Sequence, residues 1–165
     1  MIVDLKIPAV RGSLLSYQQF QMAYVTTDLE RAVAQFEKGA GAGPFHVIRD
    51  FRLPDGGLID VAMAWAGNTN IEIIQSHEAG GFYRRGLGSD EFGLAFHHAG
   101  YLVFDRAGWE LLMETVAAGG CPVPASGSNS DGLEWVYIDV PGVDHCLEYV
   151  RPSQAWISLM NSMRN

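Results

Sequence analysis

Apolar and polar positions follow the same order twice along the chain. In the first copy, Gln21 is followed by an apolar, β-prone run that ends at Asp28. In the second copy, His98 is followed by a similar run that ends at Asp105. Both separations are seven residues. Because a repeat changes how every later motif is interpreted, this match predicts two related modules that each begin with a strand.

Each of the two Asp residues precedes a helical pattern, at residues 29–37 and 107–113. Asp is a good N-cap, since its carboxylate accepts hydrogen bonds from the free N–H groups of the first helical turn. Glycines followed by a proline end both patterns, and the last glycine lies 15 residues after the Asp in each copy. The pattern therefore predicts one helix after the first strand of each module.

Short apolar runs separated by turn residues follow each helix. Three runs follow the first helix, at residues 45–48, 58–65 and 71–74. The second half contains runs at residues 133–138 and 146–150. Runs of this length, bounded by Gly, Pro, Asn and Asp, are typical of strands and hairpins. Each half is therefore predicted to be a βαβββ module, which makes the chain an α+β protein.

The two modules divide the chain into four segments. We predict an N-terminal arm (residues 1–18), a first module (residues 19–88), a second module (residues 89–151) and a C-terminal tail (residues 152–165). A polar, glycine-rich stretch at residues 78–93 is the predicted linker. Three apolar residues at i, i+3, i+4 spacing predict a short amphipathic helix in the tail that packs on its own domain: Trp156, Leu159 and Met160.

Composition and charge limit the partners of the chain. Its 165 residues include 11 Lys and Arg against 19 Asp and Glu, a formal net charge of −8. Phosphate backbones and anionic membranes would be repelled, so we expect neither nucleic acid nor a membrane as partner. Cys121 and Cys146 lack metal-ligand spacing and are expected to be reduced, buried thiols of a cytoplasmic protein. Residues 1–6 have no targeting pattern.

A Glu lies between aliphatic residues in the last strand of each module, Glu72 in the first and Glu148 in the second. Alternation turns each carboxylate away from its aliphatic neighbours, and a carboxylate removed from water is costly unless a cation meets it. The first-strand residues repeat at similar separation, 51 residues from Gln21 to Glu72 and 50 from His98 to Glu148. These side chains predict a site for one divalent ion, Zn²⁺, Ni²⁺, Co²⁺ or Mn²⁺.

These segments resemble the vicinal oxygen chelate superfamily, which includes glyoxalases, methylmalonyl-CoA epimerases, extradiol dioxygenases and bleomycin-resistance proteins. The resemblance covers residues 18–151 and rests on residues 21–32, 67–74, 97–101 and 145–150. It implies two tandem modules that form a curved mixed sheet around a shared metal cleft, with ligands on the first and last strands of each module. Four residues fall on those positions: Gln21, Glu72, His98 and Glu148.

The resemblance to the glyoxalase and epimerase branch implies a metal-dependent lyase or isomerase that acts on a small α-oxygenated carbonyl compound. In that chemistry the ion binds two neighbouring oxygens of an enediolate, while a carboxylate takes the proton from the adjacent carbon. We expect Glu148 to be this base, and Glu72 is the alternative. The implied partners are a small-molecule substrate and a second copy of the chain in a homodimer.

Two other branches remain open. A protein of the bleomycin-resistance type would sequester a ligand without catalysis, and the charge of −8 together with several aromatic residues is compatible with it. An Fe(II) extradiol dioxygenase ranks third, because its ion needs two His and one carboxylate. Gln21 stands at the first of those positions, so the His pair is missing unless His97 or His145 substitutes.

Further residues are candidates for contact with the substrate: His46, Arg84, Trp135 and His145. His46 follows a turn and Arg84 lies in the linker, where a guanidinium would bind a carboxylate or phosphate. His145 begins the last strand, three residues before Glu148, and is expected either on the opposite face of that strand or at the mouth of the cleft. His97 is expected to be half-exposed on the strand face opposite to that of its neighbour, because side chains alternate along a strand.

Overall fold

The chain folds into one curved, mixed sheet of eight strands with three α-helices, as seen in a computed structural model that describes residues 13–89 and 91–164. The strands are β1 (Gln18–Thr26), β2 (His46–Arg52), β3 (Leu58–Ala66), β4 (Thr69–Ser76), β5 (Leu94–Leu102), β6 (Ala125–Ser128), β7 (Glu134–Asp139) and β8 (Cys146–Arg151). The helices are α1 (Leu29–Gln35), α2 (Arg106–Gly119) and α3 (Gln154–Ser162). The strand order in the sheet is β2-β3-β4-β1-β5-β8-β7-β6.

The two predicted modules lie side by side in this sheet and join along one seam. The first comprises β1, α1 and β2 to β4, and the second comprises β5, α2 and β6 to β8. In each module the first strand pairs in parallel with the last. The two first strands, β1 and β5, pair antiparallel across the seam. The predicted α+β fold of tandem βαβββ modules is confirmed.

The second module contains one strand for which the sequence pattern gives no separate run. This strand, β6, has the sequence Ala-Ser-Gly-Ser and pairs with β7 at the edge of the sheet. It lacks the apolar alternation that marks a half-buried strand, so its place in the sheet depends on backbone pairing. A side chain at Gly127 would overlap the indole ring of Trp135, and the glycine therefore lets this ring lie against β6.

Asp residues cap α1 and α2, as the sequence predicts. Asp28 and Asp105 each accept a hydrogen bond from a backbone N–H of the first helical turn, at 3.0 and 2.7 Å. The first helix continues into a π-helical turn at Phe36–Ala40, and Gly41 ends it with a left-handed φ of 67°. Gly120 ends α2 in the same way, with a φ of 62°. Glycine takes these conformations without the steric cost of a Cβ atom.

Helices α1 and α2 cover one face of the sheet, and the other face is the inner one. One buried cluster joins α1 to β3 and β4: Leu29, Ala32, Ala62, Ile71 and Ile73. A second joins α2 to β5, β7 and β8: Trp109, Leu112, Val116, Ala99, Val136, Ile138, Leu147 and Tyr149. Because side chains alternate along a strand, Glu72 and Glu148 lie between residues of these clusters and face the inner side.

The C-terminal helix α3 packs on the inner face. The indole N–H of Trp65 donates a hydrogen bond to the carbonyl of Met160 at 2.9 Å. The ring of Trp156 meets that of Phe20 edge to face, with centroids 5.5 Å apart. The guanidinium of Arg164 lies 3.8 Å from the ring centre of Trp65. The predicted amphipathic helix therefore exists and packs on its own domain.

The segment between β4 and β5 contributes to the inner face as well. A short 3₁₀ turn at Phe82–Arg84 inserts Tyr83 among the buried residues of that face, although the sequence predicts a polar linker here. Both cysteines are free; Cys146 is buried as expected, whereas Cys121 is partly exposed. Most of the predicted N-terminal arm, residues 1–12, lies outside the described residues. Within those described, no helix is long and apolar enough to cross a membrane.

Candidate metal centre

Four chemistry-bearing side chains come from the four central strands of the sheet. Gln21 lies on β1, Glu72 on β4, His98 on β5 and Glu148 on β8. The strand registers match in the two modules. Glu72 pairs with Ala23, two positions after Gln21, and Glu148 pairs with Gly100, two positions after His98. Matched registers on adjacent strands bring the four side chains of the sequence prediction to one place on the inner face.

The pairing of β1 with β5 is interrupted at two residues. Phe20 in β1 and His97 in β5 have no partner across the seam, and each stands directly before one of the four side chains. A bulge interrupts the alternation of faces, and His97 is only 3% exposed. The expectation of a half-exposed His97 is therefore wrong, because pairing between the modules determines its direction.

His98 is fully buried between the two carboxylates. Its Nε2 atom lies 3.4 Å from Oε2 of Glu72 and 3.3 Å from Oε2 of Glu148. Neither contact is a hydrogen bond, and Nε2 has no hydrogen-bond partner among the described residues. Buried polar atoms without a partner are rare in folded proteins. This nitrogen is therefore available to a ligand.

Burial and charge together determine the protonation of this cluster. Burial by itself would lower the pKa of His98, but the charges of Glu148 and Glu72 outweigh it and raise the pKa to about 9. Burial raises the pKa of Glu72, an effect that His98 reduces and Glu148 increases. In the absence of another cation, the cluster therefore holds a proton between the imidazole and the carboxylates. A metal cation at the same place would displace that proton.

The amide of Gln21 is oriented by hydrogen bonds that begin at a backbone carbonyl. Nδ2 of Asn70 donates to the carbonyl of Ala64 at 3.3 Å, and Oδ1 of Asn70 accepts from Nε2 of Gln21 at 3.1 Å. The remaining atom, Oε1 of Gln21, is buried without a hydrogen-bond partner in the described part of the chain. Gly100 leaves room for it, since a Cβ atom there would lie 2.8 Å from Oε1.

The imidazole of His98 is oriented in a similar way. Nε2 of His97 lies 3.0 Å from the carbonyl oxygen of Phe82, which only accepts, so this nitrogen carries a proton. Burial, with the nearby charge of His98, lowers the pKa of His97 to about 4, so His97 is neutral near pH 7 and its Nδ1 accepts. This Nδ1 lies 2.9 Å from Nδ1 of His98, which donates to it. The other nitrogen of His98 then faces the carboxylates.

These four side chains fit a divalent cation by their chemistry. They offer an amide oxygen, an imidazole nitrogen and two carboxylates, a mixed nitrogen and oxygen set that suits Zn²⁺, Co²⁺, Ni²⁺ and Mn²⁺. Both neutral donor atoms, Oε1 of Gln21 and Nε2 of His98, make no hydrogen bond within residues 13–89 and 91–164. Each is held by a chain of hydrogen bonds that begins at a backbone carbonyl, which is how proteins orient metal ligands.

A second histidine–carboxylate cluster, which we call the surface cluster, lies where β2, β3 and β4 meet solvent: Asp50, Asp60 and His77. Its ligand atoms all lie within 4.8 Å of one another, a spacing that the Glu72, His98 and Glu148 atoms do not meet. Asp60 accepts hydrogen bonds from Arg49 at 2.7 Å and from the backbone N–H of Asp50 at 2.9 Å, and it lies 3.0 Å from Nε2 of His77. The chain itself therefore satisfies this cluster.

A cavity of about 170 Å³ opens above three of the four side chains of the candidate centre. Gln21, Glu72 and Glu148 form its polar floor. The walls are apolar and aromatic, and they come from strands β2, β3 and β7 and from helix α3: Ile48, Phe51, Val61, Met63, Trp135, Tyr137, Trp156 and Leu159. The two modules and the C-terminal tail thus build this cavity together.

The residues predicted to contact substrate have different positions. Trp135 lines the cavity. In the described part of the chain, His46 and Arg84 do not line it; the first is exposed at the start of β2 and the second lies in the turn between the modules. His145 also lies outside it, in a surface hollow, where its Nδ1 is 2.9 Å from Asp144. Of these four predictions, the structure brings only Trp135 to the four central side chains.

The positions of the other histidines bear on the dioxygenase alternative. His97 uses one ring nitrogen on the carbonyl of Phe82 and the other on His98. His145 packs beside Phe96 in the surface hollow, with ring centroids 4.9 Å apart. Among the residues that the structure describes, no second histidine therefore lies with His98 beside Glu72 and Glu148, and the two-His set of a non-haem Fe(II) dioxygenase is missing.

Two tyrosines at the cavity are absent from the sequence prediction. The hydroxyls of Tyr83 and Tyr137 lie 3.3 Å apart, and burial is the largest cause that raises the pKa of both groups. They remain protonated near neutral pH and keep their ability to donate. Alternation on β7 from Trp135 would have found Tyr137, which is two residues further along. No local pattern marks Tyr83, because a turn from between the modules brings it in.

Comparisons of the sequence with known proteins gave no match, either to a family model or to a curated protein. The fold matches solved structures. Methylmalonyl-CoA epimerase from Mycobacterium tuberculosis superposes with a TM-score of 0.65 at 14% identity, over 93% of this chain and 97% of that chain. A hypothetical protein from Bacillus halodurans gives a TM-score of 0.61 at 13% identity, over 84% of this chain and 96% of that chain.

A variant of the Streptomyces coelicolor methylmalonyl-CoA epimerase, in complex with 2-nitronate-propionyl-CoA, has a TM-score of 0.60 at 16% identity, over 85% of this chain and 96% of that chain. At such identities the likeness shows the fold alone. Methylmalonyl-CoA epimerases belong to the superfamily that the sequence resembles, so this resemblance is confirmed at the level of the fold.

Proposed function

We propose that this chain is a divalent-metal-dependent isomerase or lyase that moves a proton beside the carbonyl of a small α-oxygenated compound. One observation carries the proposal. Oε1 of Gln21 and Nε2 of His98 are buried without a hydrogen-bond partner among the described residues, and Nε2 faces both Glu72 and Glu148. Burial of a polar atom without a hydrogen-bond partner is costly. One cation bound to both atoms would remove this cost.

All four side chains would hold the ion. Gln21 and His98 contribute neutral donor atoms, whereas Glu72 and Glu148 contribute two negative charges that a charge of +2 balances. When bound, the ion supplies positive charge beside the oxygens of the substrate and stabilises the negative charge that develops there. We propose Zn²⁺, Co²⁺, Ni²⁺ or Mn²⁺, since each accepts a mixed nitrogen and oxygen ligand set.

Glu148 would be the base in this proposal, once the substrate has displaced its carboxylate from the ion. Its side chain is 10% exposed and lies at the cavity floor, within reach of a carbon that enters the cavity. It takes the proton from the carbon beside the carbonyl and returns it to the product, so that the isomerisation leaves the number of protons and electrons in the substrate unchanged. Glu72, on the other side of His98, is the second carboxylate at the floor.

The remaining cavity residues support proton transfer at this floor. Apolar walls limit the contact of the floor with bulk water, and charges interact more strongly where water is excluded. The protonated hydroxyls of Tyr83 and Tyr137 line the same cavity. Tyr83 donates its proton to the hydroxyl of Tyr137, so Tyr137 is able to donate a hydrogen bond to a substrate oxygen. We infer that these tyrosines orient the substrate while a carboxylate moves the proton.

Structural neighbours support this class of reaction. Several of them are methylmalonyl-CoA epimerases, and one such structure contains methylmalonyl-CoA. An epimerase that inverts a carbon beside a thioester carbonyl must remove and return a proton there. The neighbours thus support proton transfer beside a carbonyl as the chemistry, and the substrate has to be inferred from this chain's own residues.

Metal analysis tests the proposal directly. The protein is purified without chelators, loaded with each candidate ion, desalted and analysed for bound metal. We expect about one ion per chain in the wild type and none in His98→Ala, because the buried nitrogen is a ligand. The matched control, His77→Ala, changes the surface cluster and should retain the ion. A wild type without stoichiometric metal after loading would contradict the proposal.

A second candidate function is sequestration of a ligand without catalysis. The observation that favours it is the aromatic wall of Trp135 and Trp156 above an acidic floor, which suits a basic aromatic ligand. Chelation separates the two candidates. Exchange of α-protons with deuterated water, measured by NMR on a panel of α-hydroxy and α-oxo carbonyl compounds, should stop with a chelator and return with the ion. Sequestration would persist with the chelator present.

A further inference from the structure

The lining of the cavity carries no positive charge. Apart from the floor residues Gln21, Glu72 and Glu148, its walls are apolar or aromatic, and no Lys, Arg or His lines it within the described ranges. Proteins bind carboxylate and phosphate groups where Arg or Lys donors meet them. An anionic group inside this cavity would therefore be removed from water without a counter-charge, which is unfavourable.

The floor strengthens this preference for uncharged groups. Glu72 and Glu148 both face the cavity, with side chains 15% and 10% exposed. An ion of charge +2 balances these two carboxylates and leaves no positive charge for a further anionic substituent. Any negative charge on the substrate is thus tolerated only at the oxygens next to the ion, and the part of the substrate that fills the cavity has to be uncharged.

The size and walls of the cavity indicate what fills it. Its volume of about 170 Å³ is close to that of an engineered apolar cavity of about 150 Å³ that binds benzene. Aromatic side chains from three different elements line it, Phe51 from β2, Trp135 from β7 and Trp156 from α3. Aromatic side chains pack well against another ring. One six-membered ring, or a branched alkyl group of that size, fits this space.

We propose that the substrate carries one uncharged apolar group, about the size of an aromatic ring, beside its two neighbouring oxygens, and that this group occupies the cavity. The proposal rests on the metal-dependent function proposed above and names its substrate class. That class consists of α-hydroxy or α-oxo carbonyl compounds with an aryl or branched alkyl substituent. A second carboxylate or a phosphate on this substituent is excluded by the walls of the cavity.

Hydroxamates test this substrate class, because their two neighbouring oxygens chelate a divalent ion. The dissociation constants of acetohydroxamate, benzohydroxamate and 4-carboxybenzohydroxamate are measured on the zinc-loaded chain by isothermal titration calorimetry. Benzohydroxamate should bind at least about tenfold more tightly than acetohydroxamate, since its ring is removed from water. The carboxylated ring should bind at least about tenfold more weakly than benzohydroxamate, because the cavity offers its charge no partner.

Two variants show whether the cavity walls cause this preference. Trp156→Ala removes one wall side chain and should reduce the ratio of the acetohydroxamate and benzohydroxamate constants at least about threefold, because less of the ring is buried. The control, Phe104→Ala, changes a residue that is 60% exposed and lies outside the cavity, and it should leave the ratio unchanged.

The outcomes separate the two proposals. Equal constants for the methyl and phenyl compounds, or tighter binding of the carboxylated ring, would overturn the substrate class and leave the metal-dependent function intact. Failure of all three hydroxamates to bind the zinc-loaded chain would overturn the proposed function, and the substrate class with it.

Discussion

The surface cluster and the cluster around His98 contain the same kinds of side chain, one imidazole and two carboxylates. At the surface, Asp60 meets donors that the chain supplies, the guanidinium of Arg49 and the backbone N–H of Asp50. Arg49 also pairs with Glu30, so this permanent cation is held between two carboxylates. Both carboxylate oxygens of Asp60 therefore have hydrogen-bond partners within the chain.

The buried cluster around His98 has fewer partners of this kind. Among the described residues, the salt bridges of Glu72 and Glu148 both go to His98, which brings a single proton to two carboxylates. Nε2 of His98 and Oε1 of Gln21 make no hydrogen bond to a described residue. The chain thus leaves this cluster short of positive charge.

The difference shows which property marks a candidate metal site. Short distances between ligand atoms favour the surface cluster, whose atoms lie within 4.8 Å of one another. Buried polar atoms without a hydrogen-bond partner favour the buried cluster around His98. We give more weight to the second property, because Asp60 would have to give up the hydrogen bond from Arg49 to bind an ion, whereas Gln21 and His98 would give up none.

Metal-dependent stabilisation is the largest expected difference between the clusters. At about 1,000 times the dissociation constant, an ion should raise the free energy of unfolding of the wild type by about 4 kcal/mol, measured by urea denaturation. The double variant Glu72→Gln, Glu148→Gln should lose this increment, because it lacks the charges that hold the ion. Asp50→Asn, a change in the surface cluster, is the matched control and should keep the increment. The reverse result would assign the ion to the surface cluster.

Removal of a single carboxylate from the metal-free chain should have unequal effects in the two clusters. Asp60→Asn should lower the free energy of unfolding by about 2 kcal/mol, because hydrogen bonds to charged groups are lost. Glu72→Gln should change it by less than about 1 kcal/mol, since one carboxylate is left for one imidazolium and a desolvated like charge disappears. Urea unfolding with a chelator present measures both. A larger cost for Glu72→Gln than for Asp60→Asn would contradict this interpretation.

His97 offers a test of how the buried cluster is oriented. His97→Phe removes the acceptor that fixes Nδ1 of His98 and should weaken binding of the ion about 10- to 100-fold, as changes behind a metal ligand do. His97→Gln should restore part of the affinity, because its amide has both a donor and an acceptor. The readouts are the metal dissociation constant and the ¹⁵N NMR shifts of His98. Unchanged values in His97→Phe would show that His97 only fills space.

Acid pH should reveal the smallest effect, in the surface cluster. Burial by itself would raise the pKa of Asp60, but the N–H of Asp50, the Arg49 guanidinium and His77 outweigh it and lower the pKa below its ordinary value. The stabilisation by this group is therefore complete above the unfolded pKa of about 3.9 and is lost as the pH falls through the lower folded pKa.

The difference in free energy of unfolding between wild type and Asp60→Asn, with a chelator present, should be retained at pH 5 and shrink below about pH 4. The slope cannot exceed about 1.4 kcal/mol per pH unit, because one proton is involved. A difference that grows on acidification would contradict the lowered pKa of Asp60.

The repeated pattern was sufficient to predict the modules and the convergence of four side chains. Alternation within one strand is a local property, so it placed Glu72 and Glu148 on the inner face correctly. Matched spacing in the two halves then brought Gln21 and His98 to the same place. These predictions needed only the order of polar and apolar residues and the assumption that similar segments fold alike.

The remaining features depend on contacts between distant parts of the chain. The direction of His97 is set by a bulge where β5 pairs with β1. Tyr83 reaches the cavity by a turn between the modules, and β6 forms through backbone pairing with a sequence that has no strand pattern. Arg84 and His46 were plausible contacts by residue type, but the position of each relative to the cavity is decided by non-local packing.

A methyl group at position 100 would compete for the space of the Gln21 amide, because its carbon would lie 2.8 Å from Oε1 and 2.9 Å from Cβ of Gln21. A descendant with Ala in place of Gly100 would still carry all four proposed ligands, yet one of them would be displaced. The proposed metal dependence would then be lost during evolution without a change at any of these four residues. Whether a relative has inherited the candidate centre is to be judged from this glycine as much as from the four side chains around it.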